Sequence, residues 1–247
     1  MSAIPPAFNR GAIRPVECYK VAWETIKSEY WLFLGITFVG MLIGGAVPIV
    51  IMGPMMCGVH MCILKKMRGE PVAFDQLFKG FDYFVPSLIA TLIQTVPIFL
   101  VLVPTYVVGA VLFVLAAQPG RGGASQNLGI FFALYFAVVG VMVLVVMLFT
   151  SLFHFSYPLI VEHKMSGLEA CKTSARAVMA NFGGMLGLVL LNLLAGIVGV
   201  LACYVGAVAV LPISFAAFDV AYRQVFPAPP VEARPLFSAP PQYNPYA

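Results

Sequence analysis

Four stretches of the chain, residues 30–64, 83–120, 122–161 and 177–218, contain no Asp, Glu, Lys or Arg. Each is longer than the roughly 20 apolar residues with which a helix crosses a bilayer. A helix in a water-soluble domain keeps one face wet and meets a charge every few residues. Here 155 of 247 residues lie in segments with no such face. With 61% hydrophobic and 10% charged residues, the chain belongs to the polytopic membrane class, and its fold class is an all-α transmembrane helical bundle.

The basic residues orient it. Arg10, Arg14, Lys20 and Lys27 precede the first run, and Lys65, Lys66, Arg68 and Lys79 follow it; Lys164, Lys172 and Arg176 separate the third from the fourth, and Arg223 and Arg234 follow the last. Only Arg121 lies between the second and third. If the first and fourth runs are hairpins and the second and third each cross once, thirteen cations face the cytoplasm and one faces outward, as the cytoplasmic excess of Lys and Arg demands. Gly44, Gly45 and Pro48 offer the turn of the first hairpin, 30–66, and the stretch Gly196 to Gly206 that of the second, 177–226. Six membrane helices follow, with long helices at 84–117 and 128–161, both termini cytoplasmic, and Pro97 and Pro104 kinking the first long helix. Eight crossings arise if both long runs fold in half, but only QPGRGGASQN (118–127) there has loop chemistry. Pro5, Pro6, Pro15 and several charges precede the first apolar run, so no cleavable signal peptide is expected. The five cysteines, Cys18, Cys57, Cys62, Cys171 and Cys203, read as free buried thiols.

Three amphipathic segments lead into the membrane pairs. Residues 16–30 align Val16, Tyr19, Trp23, Ile26 and Tyr30; residues 72–84 align Phe74, Leu77, Phe78, Phe81 and Phe84; and the third, with Ser166 and Glu169 as a capping box, aligns Leu168, Cys171, Ala175, Val178 and Phe182. Aromatic and charged faces at helical spacing predict three helices in the cytoplasmic interface. The chain reads as residues 1–29, a membrane domain at 30–226 and a tail at 227–247 with seven prolines, an extended strip.

Gly53-Pro54 with Gly58, Arg68-Gly69-Glu70-Pro71, Leu77-Phe78-Lys79-Gly80-Phe81, Tyr157-Pro158-Leu159-Ile160, Ser174-Ala175-Arg176-Ala177-Val178 with Asn181, Val210-Leu211-Pro212 and Tyr222-Arg223 together form a pattern over residues 20–226. It resembles a widespread group of bacterial polytopic proteins without an assigned function, some described as cytochrome-oxidase-subunit-I-like. It is also similar in layout to the membrane domain attached to some glycerophosphodiester phosphodiesterases. The resemblance implies a six-helix architecture and the bacterial inner membrane, and no activity. A haem-copper site needs several membrane histidines, and only His60 and His154 are available.

The candidate sites are few. His60, His154 and Asp219 fall toward the cytoplasmic ends of three membrane helices, where ionisable groups are costly and often functional. Asp219 also stands one turn from Arg223, the spacing of a helical ion pair. Met56, Cys57, His60 and Cys62 are the residues a Cu(I) or haem contact would use, but their spacing matches no closed site, so packing and no cofactor are expected. Asn192, Gly183 and Gly187 suit helix packing. In the tail, Phe237, Tyr243 and Tyr246 suit a partner's groove. No nucleotide loop, paired-carboxylate site or nucleophile with a base is present. The expected function is a non-enzymatic accessory or scaffold subunit, partnered by lipids and by membrane proteins or itself, not by nucleic acid. The alternatives are a transporter or channel for a proton, ion or lipid-like solute, and a haem- or copper-binding electron-transfer subunit.

Overall fold

Glycine and proline break the first apolar run, between Ala46 and Met52. The computed structural model describes residues 6–116, 124–201 and 205–227. Its helices are α1 (Pro15–Ile26), α2 (Tyr30–Ala46), α3 (Met52–Met67), α4 (Phe84–Ala116), α5 (Ala124–Ser151), α6 (Ser156–His163), α7 (Gly167–Ala180), α8 (Phe182–Leu201) and α9 (Val205–Val225), with 3-10 segments at Lys27–Glu29 and Phe74–Tyr83. The α2–α3 break falls in the glycine-rich stretch that predicted it, and α8 ends and α9 begins within the stretch Gly196 to Gly206. Pro97 and Pro104 lie inside one continuous helix, α4.

Among the described residues, five helical stretches are long and apolar enough to cross a membrane: Pro15–Ala46, Phe74–Val114, Phe131–His163, Phe182–Leu201 and Gly206–Val225. The chain is thus a multi-pass membrane protein, all-α among the described residues. Helix α3 differs from these. Its 16 residues would span about 24 Å at 1.5 Å per residue, against a hydrocarbon core of roughly 30 Å. Every residue from Gly53 to Leu64 is buried. Around it pack α2, α4, α6, α9 and the 3-10 segment Phe74–Tyr83.

Two glycines permit that burial. A methyl group on Gly58 would stand 2.0 Å from the Leu77 carbonyl oxygen, and one on Gly80 would stand 2.0 Å from that of Pro54. The two backbones therefore touch with nothing between them.

Helical elements form within all three amphipathic segments; of the aligned residues Ile26, Leu77, Cys171 and Val178 are buried, and most of the aromatics stay on the surface. In α1 the packed stripe is Cys18, Ala22 and Ile26, while Trp23 is 45% exposed; α1 lies along α9 and small residues let the helices approach. In the second segment the three-residue period of a 3-10 helix turns Leu77 and Gly80 inward and leaves Phe74, Phe78 and Phe81 exposed. In α7, whose N-cap Ser166 accepts from the Glu169 backbone N–H, Ala170, Cys171, Ser174, Ala177 and Val178 are buried, whereas Leu168 and Phe182 are exposed.

The N-terminal segment is a strap. The Ala12 N–H donates to Asn181 Oδ1 (2.8 Å), Asn181 Nδ2 donates to the Asn9 carbonyl (3.0 Å), the Asn9 N–H donates to the Val225 carbonyl (2.8 Å) and the Arg14 N–H donates to Gln224 Oε1 (2.9 Å). These bonds tie residues 9–14 across the α7–α8 junction and the end of α9.

The long helix predicted at 128–161 is two helices. It stops at Ser151 and restarts at Ser156. Pro158 has no N–H to give the carbonyl four residues back, so it sits best in the first turn of a new helix, where none is needed. The turn between carries bonds to the third residue back, from Phe153 N–H to the Thr150 carbonyl and from His154 N–H to the Ser151 carbonyl. Ser174 of α7 completes it, its hydroxyl donating to the Leu152 carbonyl (2.7 Å) and accepting from the Phe155 N–H (3.2 Å).

Candidate functional site

The break between α5 and α6 turns the His154 ring out of helical register and onto α9. There it lies against Phe218, ring centroids 3.7 Å apart. The next residue along α9, Asp219, is fully buried, and its Oδ1 lies 2.8 Å from Nδ1 of His60 on α3. His60 is 1% exposed. Its ring meets His154 edge-on (5.9 Å, 89°), stacks on Tyr157 of α6 (6.1 Å, 12°) and touches Phe215 of α9 (5.8 Å). Tyr157 and Thr91 of α4 share a hydrogen bond of 3.1 Å, and Thr91 donates its own hydrogen to the Ser87 carbonyl (2.9 Å), so Tyr157 is the donor between the two.

An imidazole and a carboxylate in contact inside an apolar layer stabilise each other, because neither has water to turn to. Asp219 Oδ2 and His154 Nε2 are buried without a hydrogen-bond partner in the protein, as are Gln94 Nε2 of α4, Ser156 Oγ of α6 and Arg223 Nη1 of α9. His60, His154 and Asp219, which the sequence places toward the same ends of three helices without showing that they meet, lie together in the fold although up to 159 positions apart.

Arg223 does not join them. The helical ion pair expected between Asp219 and Arg223 is replaced by two others: Asp219 faces His60, and Arg223 pairs with Glu162 of α6. One turn of helix brings two side chains within reach, but each carboxylate has a competing donor in the fold. Glu162 also accepts from Arg68 Nη1 (3.0 Å) and the Tyr222 hydroxyl (3.0 Å). Arg68 in turn reaches Glu70 (2.6 Å), whose carboxyl it holds below the usual range. A second lattice joins Lys66 to Glu29 (2.5 Å) and Lys65 to Gln76 (3.1 Å). Glu162 is the residue sequence reasoning missed; its one signal is that it is the first charge after a 40-residue run without any.

The soft-ligand candidates Met56, Cys57, His60 and Cys62 are all buried in α3. Among the described residues no group of three or more His, Cys, Asp or Glu side chains is arranged to hold a metal. Of the packing residues, Asn192 Oδ1 accepts from the Tyr19 hydroxyl of α1 (2.5 Å) and Gly187 abuts Pro15, where a methyl group would stand 2.8 Å from Cγ. Gly183 has open space around it, and its neighbour Gly184 makes the close approach, to Ile13. The docking candidates Phe237, Tyr243 and Tyr246 lie outside the described residues, as does Cys203. The other four cysteines are free and buried.

Compared with protein families, with curated proteins and with solved structures, the chain matches none.

Proposed function

We propose that this chain is a non-enzymatic accessory or scaffold subunit of the bacterial inner membrane, working as an oligomer or within a larger membrane assembly. Both termini are cytoplasmic and α3 is its sixth membrane-embedded helix. The amphipathic segments α1, 72–84 and α7 mark the cytoplasmic interface, where their charges reach water. One observation carries the reading. Around α3 the side chains are closed over one another, whereas the α4–α5 hairpin extends away with apolar groups bare on several sides: Leu100 is 70%, Tyr106 71% and Phe136 66% exposed. The two helices meet closely at Gly109 and Tyr135, beside a cleft of about 450 Å³ lined by Pro104, Leu112, Phe131 and Val138. Such a hairpin offers neighbouring membrane helices a long apolar surface.

Gentle detergent extraction followed by native mass measurement tests this. The expected result is a homo-oligomer or a co-purifying membrane protein, and a lone monomer without a companion would count against it. The buried His60–Asp219–His154 cluster favours a second reading, a small transporter or channel for a proton, ion or lipid-like solute. Flux into proteoliposomes tests it, and flux unchanged in His60→Ala, His154→Ala and Asp219→Asn would remove the route.

A further inference from the structure

Asp219 spends one of its two oxygens on His60, and the other is idle; His154, stacked on the residue just before Asp219, has an idle ring nitrogen. A buried polar atom without a partner costs roughly 1 to 3 kcal/mol. Two in one cluster, one on a carboxylate and one on an imidazole, are complementary once a proton is added. We propose that the cluster is a proton-operated latch: a proton taken up at His154 Nε2 is donated as a hydrogen bond to Asp219 Oδ2, so that one carboxylate ties the α5–α6 turn to both α9 and α3. The proton comes from hydronium, which leaves as water, and no other bond is made or broken. Without that proton, α3 meets α9 through the His60–Asp219 bond and the packing of the His60 ring on Phe215.

The turn that carries His154 is suited to such a movement. Between Ser151 and Ser156 it has no α-helical ladder, and its backbone is held from the side by the Ser174 hydroxyl. A helix interior would resist a shift that this turn accommodates. The ionisable groups facing the cluster are His60 on α3, Tyr157 and Glu162 on α6, and Tyr222 and Arg223 on α9, with Cys57 of α3 and Cys171 of α7 behind Tyr157. Helix α4 supplies no charged group, only the hydroxyl of Thr91 and the side-chain amide of Gln94, both beside Tyr157. Both oxygens of Glu162 are engaged, by Arg223, Arg68 and the Tyr222 hydroxyl, so the carboxylate with an unengaged oxygen to answer a new positive charge on His154 is Asp219, although Arg223 one turn along α9 keeps its buried Nη1 without a partner. The latch is independent of whether any solute crosses the protein.

The chain has three histidines, which makes it open to nitrogen-15 NMR of the full chain in lipid nanodiscs, with His163→Gln removing the one outside the cluster. Between about pH 8 and pH 4, the range that brackets ordinary imidazole titration, the His154 signal is expected to move to that of a protonated ring, and the His60 signal, which reports on the Asp219 carboxylate it bonds, is expected to shift with it in a single step. In Asp219→Asn that shared step is expected to split or vanish. In His154→Phe, which keeps an aromatic ring against Phe218, His60 is expected to lose the step, and this variant decides the matter if Asp219→Asn does not fold. A His154 that stays neutral throughout, or a His60 step unaltered in His154→Phe, would overturn the latch.

Discussion

Glu162 accepts hydrogen bonds from Arg68, Arg223 and Tyr222, which belong to the loop after α3 and to α9. Removing its charge strands two guanidinium groups, one of them largely buried. Glu162→Gln is expected to lower stability by about 3 kcal/mol, in line with breaking a partly buried ion pair from one side, measurable by unfolding in detergent. Cys171 illustrates a different control. Burial pushes its thiol up from the ordinary value, which leaves less of the nucleophilic thiolate at neutral pH. Maleimide treatment of the folded protein followed by digestion and mass analysis is expected to find Cys171 unmodified, and treatment after denaturation to find it labelled. At this scale the sequence was partly legible. His60, His154 and Asp219 stand out because an apolar run makes any ionisable group conspicuous. Glu162 looked only like the end of such a run, and its donors lie 94, 60 and 61 residues away, distances over which no local pattern carries information.

Among the elements, breaks were easier to foresee than faces. Glycine and proline write the α2–α3 turn into the chain because their backbone preferences act locally. Pro158 carried the same message for the α5–α6 break, but the apolar run continues through it and hides the interruption. Which face of α1 or α7 packs depends on what lies opposite, so the alignment of Val16, Tyr19 and Trp23 did not disclose that Cys18 and Ala22 are the residues buried against the fold. Ser174→Ala is expected to leave the Leu152 carbonyl and the Phe155 N–H without their partner and to cost about 1 to 3 kcal/mol, read as a lowered unfolding midpoint. The contact of α3 with the 3-10 segment Phe74–Tyr83 admits no methyl group at Gly58 or Gly80. Gly80→Ala is expected to destabilise by about 3 kcal/mol, the upper end of ordinary overpacking. Gly45→Ala, with nothing within 4 Å, should leave the same measurement unchanged.

For the molecule as a whole, charge-free length announced the membrane and the basic residues suggested its sidedness. Tags inserted beside Arg121 and appended at Ala247 are expected in opposite compartments, as protease protection of oriented vesicles would reveal; exposure on one side would refute the threading. What length alone did not disclose is which apolar helix faces lipid and which faces protein, since both environments accept the same side chains. Helix α3 is the protein-facing case, and this bears on how the chain is made. Its His60 has no answering carboxylate until Asp219 emerges 159 residues later, about 8 to 32 s at ordinary translation speeds. Throughout that interval the nascent chain holds a short, glycine-rich and methionine-rich helix whose wrapping is unfinished. Its biogenesis therefore completes from the carboxyl end, and a ribosome that stalls before α9 leaves behind a product fit for quality-control proteolysis.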